Sequence, residues 1–266
     1  MIASQETRGA QATSGRAHHS AIRAACASDV GRVRQKNEDS CLVALKQNLF
    51  IVSDGMGGHQ AGEVASKAVV TILPEMIERR MAGVSSPRKR IVELTLRETI
   101  LELSQRLRAQ SAGQAGLKGM GATVALAWLR GPEGVAHLAH MGDSRIYLYR
   151  RGSLTQLTAD HSVVALLLQH GDITPEETRE HPARGRLSRY MGMEGEVYPD
   201  VQTVRLQEGD RLLLCTDGLT GPVPDERIAA LLQANPDPEA ACQALVDAAN
   251  DARGSDNITA LVVNWG

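Results

Sequence analysis

The chain has 266 residues, 42% of them apolar, and a net charge of −2. This length suits one large domain or two small ones with a buried core, and we expect one domain. The near-neutral charge supplies no global field for nucleic acid, and no stretch of about 18 apolar residues predicts a membrane span. We therefore expect a soluble, cytoplasmic protein that binds neither nucleic acid nor a membrane.

Residues 1–20 are rich in Ser, Thr, Gln, Gly and Ala and lack apolar periodicity, so we expect a disordered leader there. We place the folded domain at 21–266. Its four cysteines show no Cys-x-x-Cys spacing, which favours buried, reduced thiols. They are Cys26, Cys41, Cys215 and Cys242.

Within 21–266, hydrophobic periodicity predicts the order of helices and strands. Short apolar runs predict strands near 41–45, 49–53, 123–129, 135–140, 146–150, 153–157, 201–206, 211–215 and 258–264. Three- and four-residue apolar spacing predicts helices over 61–80, 89–109, 163–169, 225–233 and 238–251.

Strands precede, interrupt and follow two helical pairs, which predicts an α+β fold. We expect a four-layer α/β/β/α sandwich of two mainly antiparallel sheets flanked by helical pairs. The largely polar stretch near 160–200 is expected to form a surface flap. Within it, Thr174 is placed to cap a short helix that has Pro175 at its first position.

Four aspartates lie at the ends of predicted strands: Asp54, Asp143, Asp217 and Asp256. Strand ends can bring distant residues onto one sheet edge, and carboxylates there suit Mg²⁺ or Mn²⁺ better than zinc. The glycines that begin at Gly55 allow a tight turn and leave backbone carbonyls open to a cation. Each aspartate alone is explained as well by a turn or cap, but the four together predict a binuclear metal enzyme.

Arg34 lies four residues before the acidic pair Glu38 and Asp39. A guanidinium can hold a phosphate through two parallel hydrogen bonds, and a neighbouring carboxylate can hold a water. A charged surface loop explains the same residues, and both interpretations stay open on this segment alone.

Seven motifs in order resemble the metal-dependent protein phosphatases, the type 2C serine/threonine phosphatases, and especially their compact bacterial branch. They are Arg-x-x-Asn-Glu-Asp (34–39), Asp-Gly-Met-Gly-Gly-His (54–59), Gly-Met-Gly-Ala-Thr (119–123), Gly-Asp-Ser-Arg (142–145), Leu-Thr-x-Asp-His-Ser (157–162), Cys-Thr-Asp-Gly-Leu (215–219) and Ser-Asp-Asn-Ile-Thr (255–259). The resemblance covers 22–264, nearly the whole chain.

The resemblance implies a set of metal ligands. Asp54 matches the aspartate that bridges two Mg²⁺ or Mn²⁺ ions, and Gly55 matches the glycine that supplies a carbonyl ligand. Asp217 and Asp256 match the remaining ligands of the pair. Asp143 matches a ligand of the weaker third ion found in many members, with Asp217 shared.

The resemblance also implies a reaction. Arg34 matches the phosphate-binding arginine, while Glu38 and Asp39 match the outer acids that orient metal-bound water. We expect hydrolysis of phosphoserine and phosphothreonine in proteins by a metal-activated water, which reverses serine/threonine kinase signalling. Neither Asp54 nor Asp217 has an aspartate two positions away, so an aspartyl-phosphate route lacks its nucleophile pattern.

The sequence departs from the family pattern in two places. Met56 replaces a histidine that many eukaryotic members carry and that is proposed to protonate the leaving alcohol. The proton donor therefore stays open between His59, His161 and a metal-bound water, or the alcohol leaves largely unassisted. The second departure, at 189–192, is expected to change substrate access more than chemistry.

Two alternatives stay open beside the phosphatase interpretation. A non-catalytic phospho-sensor on this fold would lack metal ligands, and none is missing in the sequence. A small-molecule phosphatase would need a deep, specific pocket. The partners that the resemblance implies are phosphorylated proteins, in particular a cognate serine/threonine kinase and its substrates.

Overall fold

The computed structural model describes residues 22–57, 61–84, 87–131 and 133–266. The leader predicted at 1–20 and the candidate proton donor His59 lie outside the described residues. Among the helices of this described part, none has the length and apolarity that crossing a bilayer requires.

Every strand pairing in the described residues is antiparallel. The strands are β1 (Arg23–Asp29), β2 (Asp39–Ala44), β3 (Leu49–Met56), β4 (Gly121–Ala122), β5 (Val124–Arg130), β6 (Val135–Met141), β7 (Arg145–Arg150), β8 (Ser153–Gln156), β9 (Asp200–Arg205), β10 (Asp210–Cys215) and β11 (Ile258–Trp265). One sheet has the order β1-β11-β10-β7-β8, and the other has β2-β3-β5-β6-β9 with β4 paired to β3.

The described residues form six α-helices, of which two pairs cover the outer faces of the sheets. They are α1 (Ala61–Met81), α2 (Lys89–Gly113), α3 (Val163–His170), α4 (Asp217–Thr220), α5 (Asp225–Ala234) and α6 (Pro238–Asp251). The pair α1 and α2 packs on the six-stranded sheet, and α5 and α6 pack on the five-stranded sheet. The predicted α/β/β/α sandwich is confirmed.

The apolar runs of the central strands are continuous because both of their faces are buried. In β3, Phe50 and Val52 belong to the cluster between the two sheets, whereas Ile51 belongs to the cluster under α1 and α2. In β11, Leu261 lies between the sheets and Val262 lies under the second helical pair. This alternation fixes the register, and so it fixes which strand ends meet.

The segment between β8 and β9 leaves the sandwich and returns to it. An isolated bridge between Ser162 and Leu187 closes its base. We call residues 163–188 the flap segment. The expected capped helix is only a 3₁₀ turn, Glu177–Arg179, preceded by reciprocal hydrogen bonds between Thr174 and Glu177.

Two predictions about buried residues are wrong. The stretch near 160–200 is not polar surface throughout, because Met191 is fully buried and pairs with Ala122 of β4. The cysteines are not all reduced either: Cys26 of β1 and Cys41 of β2 form a disulfide between the outer strands of the two sheets. Cys215 and Cys242 are free and buried, as predicted.

Candidate metal and phosphate site

The four predicted aspartates come together at one end of the sandwich, and we call them the aspartate cluster: Asp54, Asp143, Asp217 and Asp256. Each is partly buried, so solvent can reach it. A cavity of about 940 Å³, the side cavity, opens next to Asp143, Asp217 and Asp256. Four separate chain segments thus supply carboxylates to one accessible place.

Asp54 lies within β3, where its cross-strand partner in β2 is Asp39. Thr123 holds its backbone on the other side: the Asp54 N–H donates to Thr123 Oγ1 at 2.8 Å, and the Thr123 N–H donates to the Asp54 carbonyl at 2.8 Å. The Thr123 hydroxyl also lies 2.6 Å from that of Ser144, the residue after Asp143. One threonine therefore fixes the spacing of two cluster members.

Asp217 begins α4, directly after β10, and Asp256 lies two residues before β11. Because β10 and β11 are neighbours in one sheet, their loops meet. A Cβ added to Gly218 would lie 1.9 Å from the Asn257 carbonyl oxygen, so glycine is required for the two loops to come this close.

Gly55 is enclosed in the same way. A Cβ there would lie 2.0 Å from the Gly62 carbonyl oxygen at the start of α1 and 2.7 Å from the Glu38 carbonyl oxygen. The Gly55 N–H donates to the Glu38 carbonyl at 3.1 Å. The predicted carbonyl ligand therefore sits in a tight backbone crossing between β3, α1 and the loop before β2.

The cluster is electrostatically unfavourable by itself. Burial, followed by the charges of Asp39, Asp217 and Asp143, raises the pKa of Asp54 well above its usual value. Burial and the Asp217 charge raise the pKa of Asp143 to about 8, and burial and the Asp256 charge raise that of Asp217 to about 6. Carboxylates that disfavour one another's ionisation are stabilised when a divalent cation lies between them.

Asp39 is a buried acid, and only one of its two carboxylate oxygens is hydrogen-bonded. Its Oδ2 accepts from the hydroxyls of Thr216 at 2.9 Å and Thr259 at 2.7 Å, while its Oδ1 is buried without a hydrogen-bond partner among the described residues. Burial raises its pKa to about 7. A buried oxygen left unpaired is costly, so this position fits a neighbouring cation or water.

Arg34 reaches the cluster from the loop between β1 and β2. Its Nη2 donates to Asp256 Oδ2 at 2.9 Å, although both side chains are substantially exposed. Glu38 lies close enough for the Arg34 and Asp256 charges to affect it, and burial raises its pKa. The structure therefore brings together the residues predicted to bind metal, metal-bound water or phosphate.

Asn257 holds the Arg34 loop in place. Its Oδ1 accepts the Glu38 N–H at 2.8 Å, and its Nδ2 donates to the carbonyls of Val30 at 3.0 Å and Lys36 at 2.8 Å. This role, like those of Thr123 and Thr216, was not predicted. The only sequence signal was that Thr216 and Asn257 stand beside aspartates within short motifs, whereas Thr123 ends a motif that contains no aspartate.

A second group of possible ligands lies next to the cluster. His140, His161 and Asp200 have ligand atoms within 4.8 Å of one another, the only such group of three in the described part of the chain. His161 Nδ1 accepts the Gly142 N–H at 3.2 Å, its Nε2 is 3.1 Å from Asp200 Oδ2, and His140 Nε2 is 2.9 Å from the Ala159 carbonyl. Because these nitrogens are already paired, the group is a hydrogen-bonded network.

Comparisons with known proteins identify the family of this chain. The family described as Protein phosphatase 2C matches residues 31–260. The serine/threonine phosphatase stp of Listeria monocytogenes is 38% identical over 239 residues, which cover 89% of this chain and 93% of that protein.

Two crystal structures share the fold. The Mycobacterium tuberculosis serine/threonine phosphatase PstP/Ppp aligns with a TM-score of 0.78 and 37% identity over 92% of this chain and 98% of that chain. The PstP catalytic domain in complex with two manganese ions aligns with a TM-score of 0.75 and 35% identity over 91% and 97%. The chain belongs to the protein phosphatase 2C family. The predicted enzyme class, a protein serine/threonine phosphatase, is confirmed.

Proposed function

We propose that this chain hydrolyses phosphoserine and phosphothreonine in proteins with two divalent cations, Mn²⁺ or Mg²⁺. Asp54, the Gly55 carbonyl, Asp217 and Asp256 would hold the pair, and Asp143 with Asp217 would hold a third ion. The observation that carries the proposal is the aspartate cluster itself, in which burial and mutual repulsion raise the pKa values of Asp54, Asp143 and Asp217.

The residues present fit such ions. All the candidate ligand atoms are carboxylate or carbonyl oxygens, which Mg²⁺ and Mn²⁺ prefer, and the unpaired Asp39 Oδ1 adds a further acceptor. When bound, the cations lower the pKa of a water and offset the charge of the phosphoryl group. A non-catalytic phospho-sensor would lack metal ligands, whereas the cluster contains all of the predicted ones.

The side chains around the cluster have separate roles in this proposal. Arg34, now paired with Asp256, would turn its guanidinium to two oxygens of the substrate phosphate. Glu38 and Asp39 would orient the attacking water, with Asp39 kept in position by Thr216 and Thr259. The flap segment would border the surface on which the phosphopeptide lies.

The proton for the departing alcohol does not come from His161 in this scheme. Its side chain is only 2% exposed, both of its ring nitrogens are hydrogen-bonded, and burial and His140 lower its pKa to about 4. Met56 carries no acidic proton. We therefore assign this step to a water or to His59.

The cellular role follows from the enzyme class. We propose that the protein acts in the cytoplasm and reverses the work of a serine/threonine kinase, with that kinase and its substrates as the phosphorylated partners. The relatives named above are serine/threonine phosphatases, which supports protein substrates.

The direct test is hydrolysis of a phosphothreonine peptide and of para-nitrophenyl phosphate with Mn²⁺, with Mg²⁺ and with EDTA. Wild type should turn over both substrates with metal and neither with EDTA. Asp217→Asn keeps the shape of the side chain but removes its charge, and it should lose activity with both metals. Turnover that persists in EDTA, or in this variant, would refute the metal assignment.

A further inference from the structure

The turn after α6 carries an arginine where the backbone calls for glycine. The helix ends at Asp251, and the Gly254 N–H donates back to the Ala249 carbonyl at 3.0 Å, the long bond of a Schellman motif. Arg253 therefore occupies the position of this motif that favours glycine, with a φ of 107°. Strained positions of this kind persist where the surrounding structure imposes them, and they are frequent at functional sites.

Arg253 lines the side cavity. Its side chain is exposed, and the same cavity is bordered by Asp143, Asp217 and Asp256 of the aspartate cluster. The flap segment contributes a second arginine, Arg184. Residues next to a phosphorylated side chain held at the cluster would therefore reach a cavity with guanidinium groups on its wall.

The arginines on this cavity wall differ in whether they are paired with an acid. Arg145 is paired with Asp160 through two hydrogen bonds of 2.8 and 2.7 Å, and it also donates to Tyr147. Arg253 takes part in no ion pair or side-chain hydrogen bond with any residue that the structure describes. Once cations neutralise the cluster, the guanidinium of Arg253 is left to attract an anion.

We propose that the side cavity is a subsite for an anionic group that flanks the scissile phosphoresidue, either an acidic side chain or a second phosphate, and that Arg253 is its specificity-determining residue. The proposal rests on the proposed phosphatase function and adds a substrate preference to it. The planar guanidinium matches both carboxylate and phosphate through paired hydrogen bonds.

The test uses a phosphothreonine peptide with alanines around the phosphoresidue. A series places one Asp, one Lys or one non-hydrolysable phosphoserine analogue at each flanking position, and kcat/KM is measured with Mn²⁺. Wild type should prefer the anionic residue over Ala by about tenfold at one or two positions, the scale of one charge-assisted hydrogen bond. The Asp and phosphoserine-analogue arms show which anion is favoured.

Arg253→Gly removes the guanidinium and suits the positive φ, so the variant should keep a wild-type Tm or exceed it. Its ratio of kcat/KM for acidic over neutral peptide should fall to about one. Arg151→Gly is the matched control, since Arg151 is also an exposed arginine with positive φ, 51°, but lies in the β7–β8 turn outside the cavity. This variant should keep the wild-type ratio.

The outcomes separate the two proposals. Equal kcat/KM for acidic and neutral peptides in wild type, or an unchanged ratio in Arg253→Gly, overturns the subsite and leaves the phosphatase function intact. A wild type that turns over no peptide with any metal overturns the proposed function and the subsite with it.

Discussion

The backbone N–H of Gly142 donates to Nδ1 of His161 at 3.2 Å, and the backbone N–H of His161 donates to the Gly142 carbonyl at 2.9 Å. Since Nδ1 accepts, the ring proton lies on Nε2 and is donated to Asp200. Arg189 Nη1 also donates to Asp200 Oδ1 at 3.0 Å. His161 thus links Asp200, which lies beyond the flap segment, to Gly142, the residue that precedes Asp143, and we expect it to act as a positioning residue.

Two substitutions of His161 separate positioning from acid catalysis. His161→Asn keeps an acceptor close to the Nδ1 position, and His161→Gln keeps a donor close to the Nε2 position. We expect each variant to lower kcat for the phosphothreonine peptide and for para-nitrophenyl phosphate by a similar factor, roughly ten- to hundredfold, the range for loss of an outer-shell partner of a metal site. A general acid would matter much more for the peptide, whose alcohol is the poorer leaving group. A loss confined to the peptide would therefore contradict the positioning role.

Asp54 would be a ligand of the proposed pair of ions. Asp54→Asn should lower kcat by at least two orders of magnitude, because the side chain keeps its size but loses the charge that holds the cations. Titration calorimetry with Mn²⁺ should show weakened binding of the pair. Asp247→Asn, at an exposed position of α6, is the control and should behave as wild type. Normal Mn²⁺ binding by Asp54→Asn would contradict the assignment.

Arg34→Ala tests phosphate recognition. The change should raise KM about tenfold or more and lower kcat less, because the guanidinium binds the phosphate in both the ground state and the transition state. Arg34→Lys should recover only part of the loss, since an ammonium cannot make the paired hydrogen bonds. Steady-state kinetics on a phosphothreonine peptide measures both. An unchanged KM for Arg34→Ala would place the phosphate elsewhere.

Most of the strand and helix order could be predicted from the sequence because most strands are apolar runs and the longer helices are strongly periodic, but β1 and the two-residue β4 were not predicted. Helix α4 could not be predicted, because a helix of only four residues shows no hydrophobic periodicity. Met191 was missed because its burial depends on a pairing with the distant Ala122. The disulfide was missed because Cys26 and Cys41 meet only when the two sheets pack together.

Some features of the candidate site could likewise be predicted from the sequence, and others could not. Its carboxylates could be predicted because each stands at a strand end within a short motif. The contacts between these motifs could not, because they join residues far apart in the chain: Arg34 and Asp256 are 222 positions apart, and Asp39 and Thr259 are 220. Sequence patterns identify ligand types, whereas sheet register determines which of them meet.

The Cys26–Cys41 disulfide should stabilise the protein by about 3 kcal/mol, the value expected for a closed loop of this length. Reduction should therefore lower Tm by roughly 6–12 °C. The double variant Cys26→Ala/Cys41→Ala should show the lower Tm without reductant and no further change with it. Cys215 and Cys242 are already free thiols, and burial raises their pKa values to about 12 and about 11. The reductant should therefore not act on them, and they should not contribute to the fall in Tm. Equal Tm values for oxidised and reduced wild type would contradict this prediction.

Removal of the metal should reveal the repulsion within the aspartate cluster as a pH dependence. Asp143 has a pKa of about 8 in the folded metal-free protein, against 3.8 for an ordinary aspartate. Between these pH values the folded state holds a proton that the unfolded state has released, so stability falls as pH rises. In EDTA, Tm should therefore decrease from pH 6 to pH 8, and the rise in Tm caused by Mn²⁺ should grow over the same range, because the cation displaces those protons. Asp143→Asn should reduce the slope in EDTA. A Tm in EDTA that increases from pH 6 to pH 8 would mean that these carboxylates are not held close together without metal.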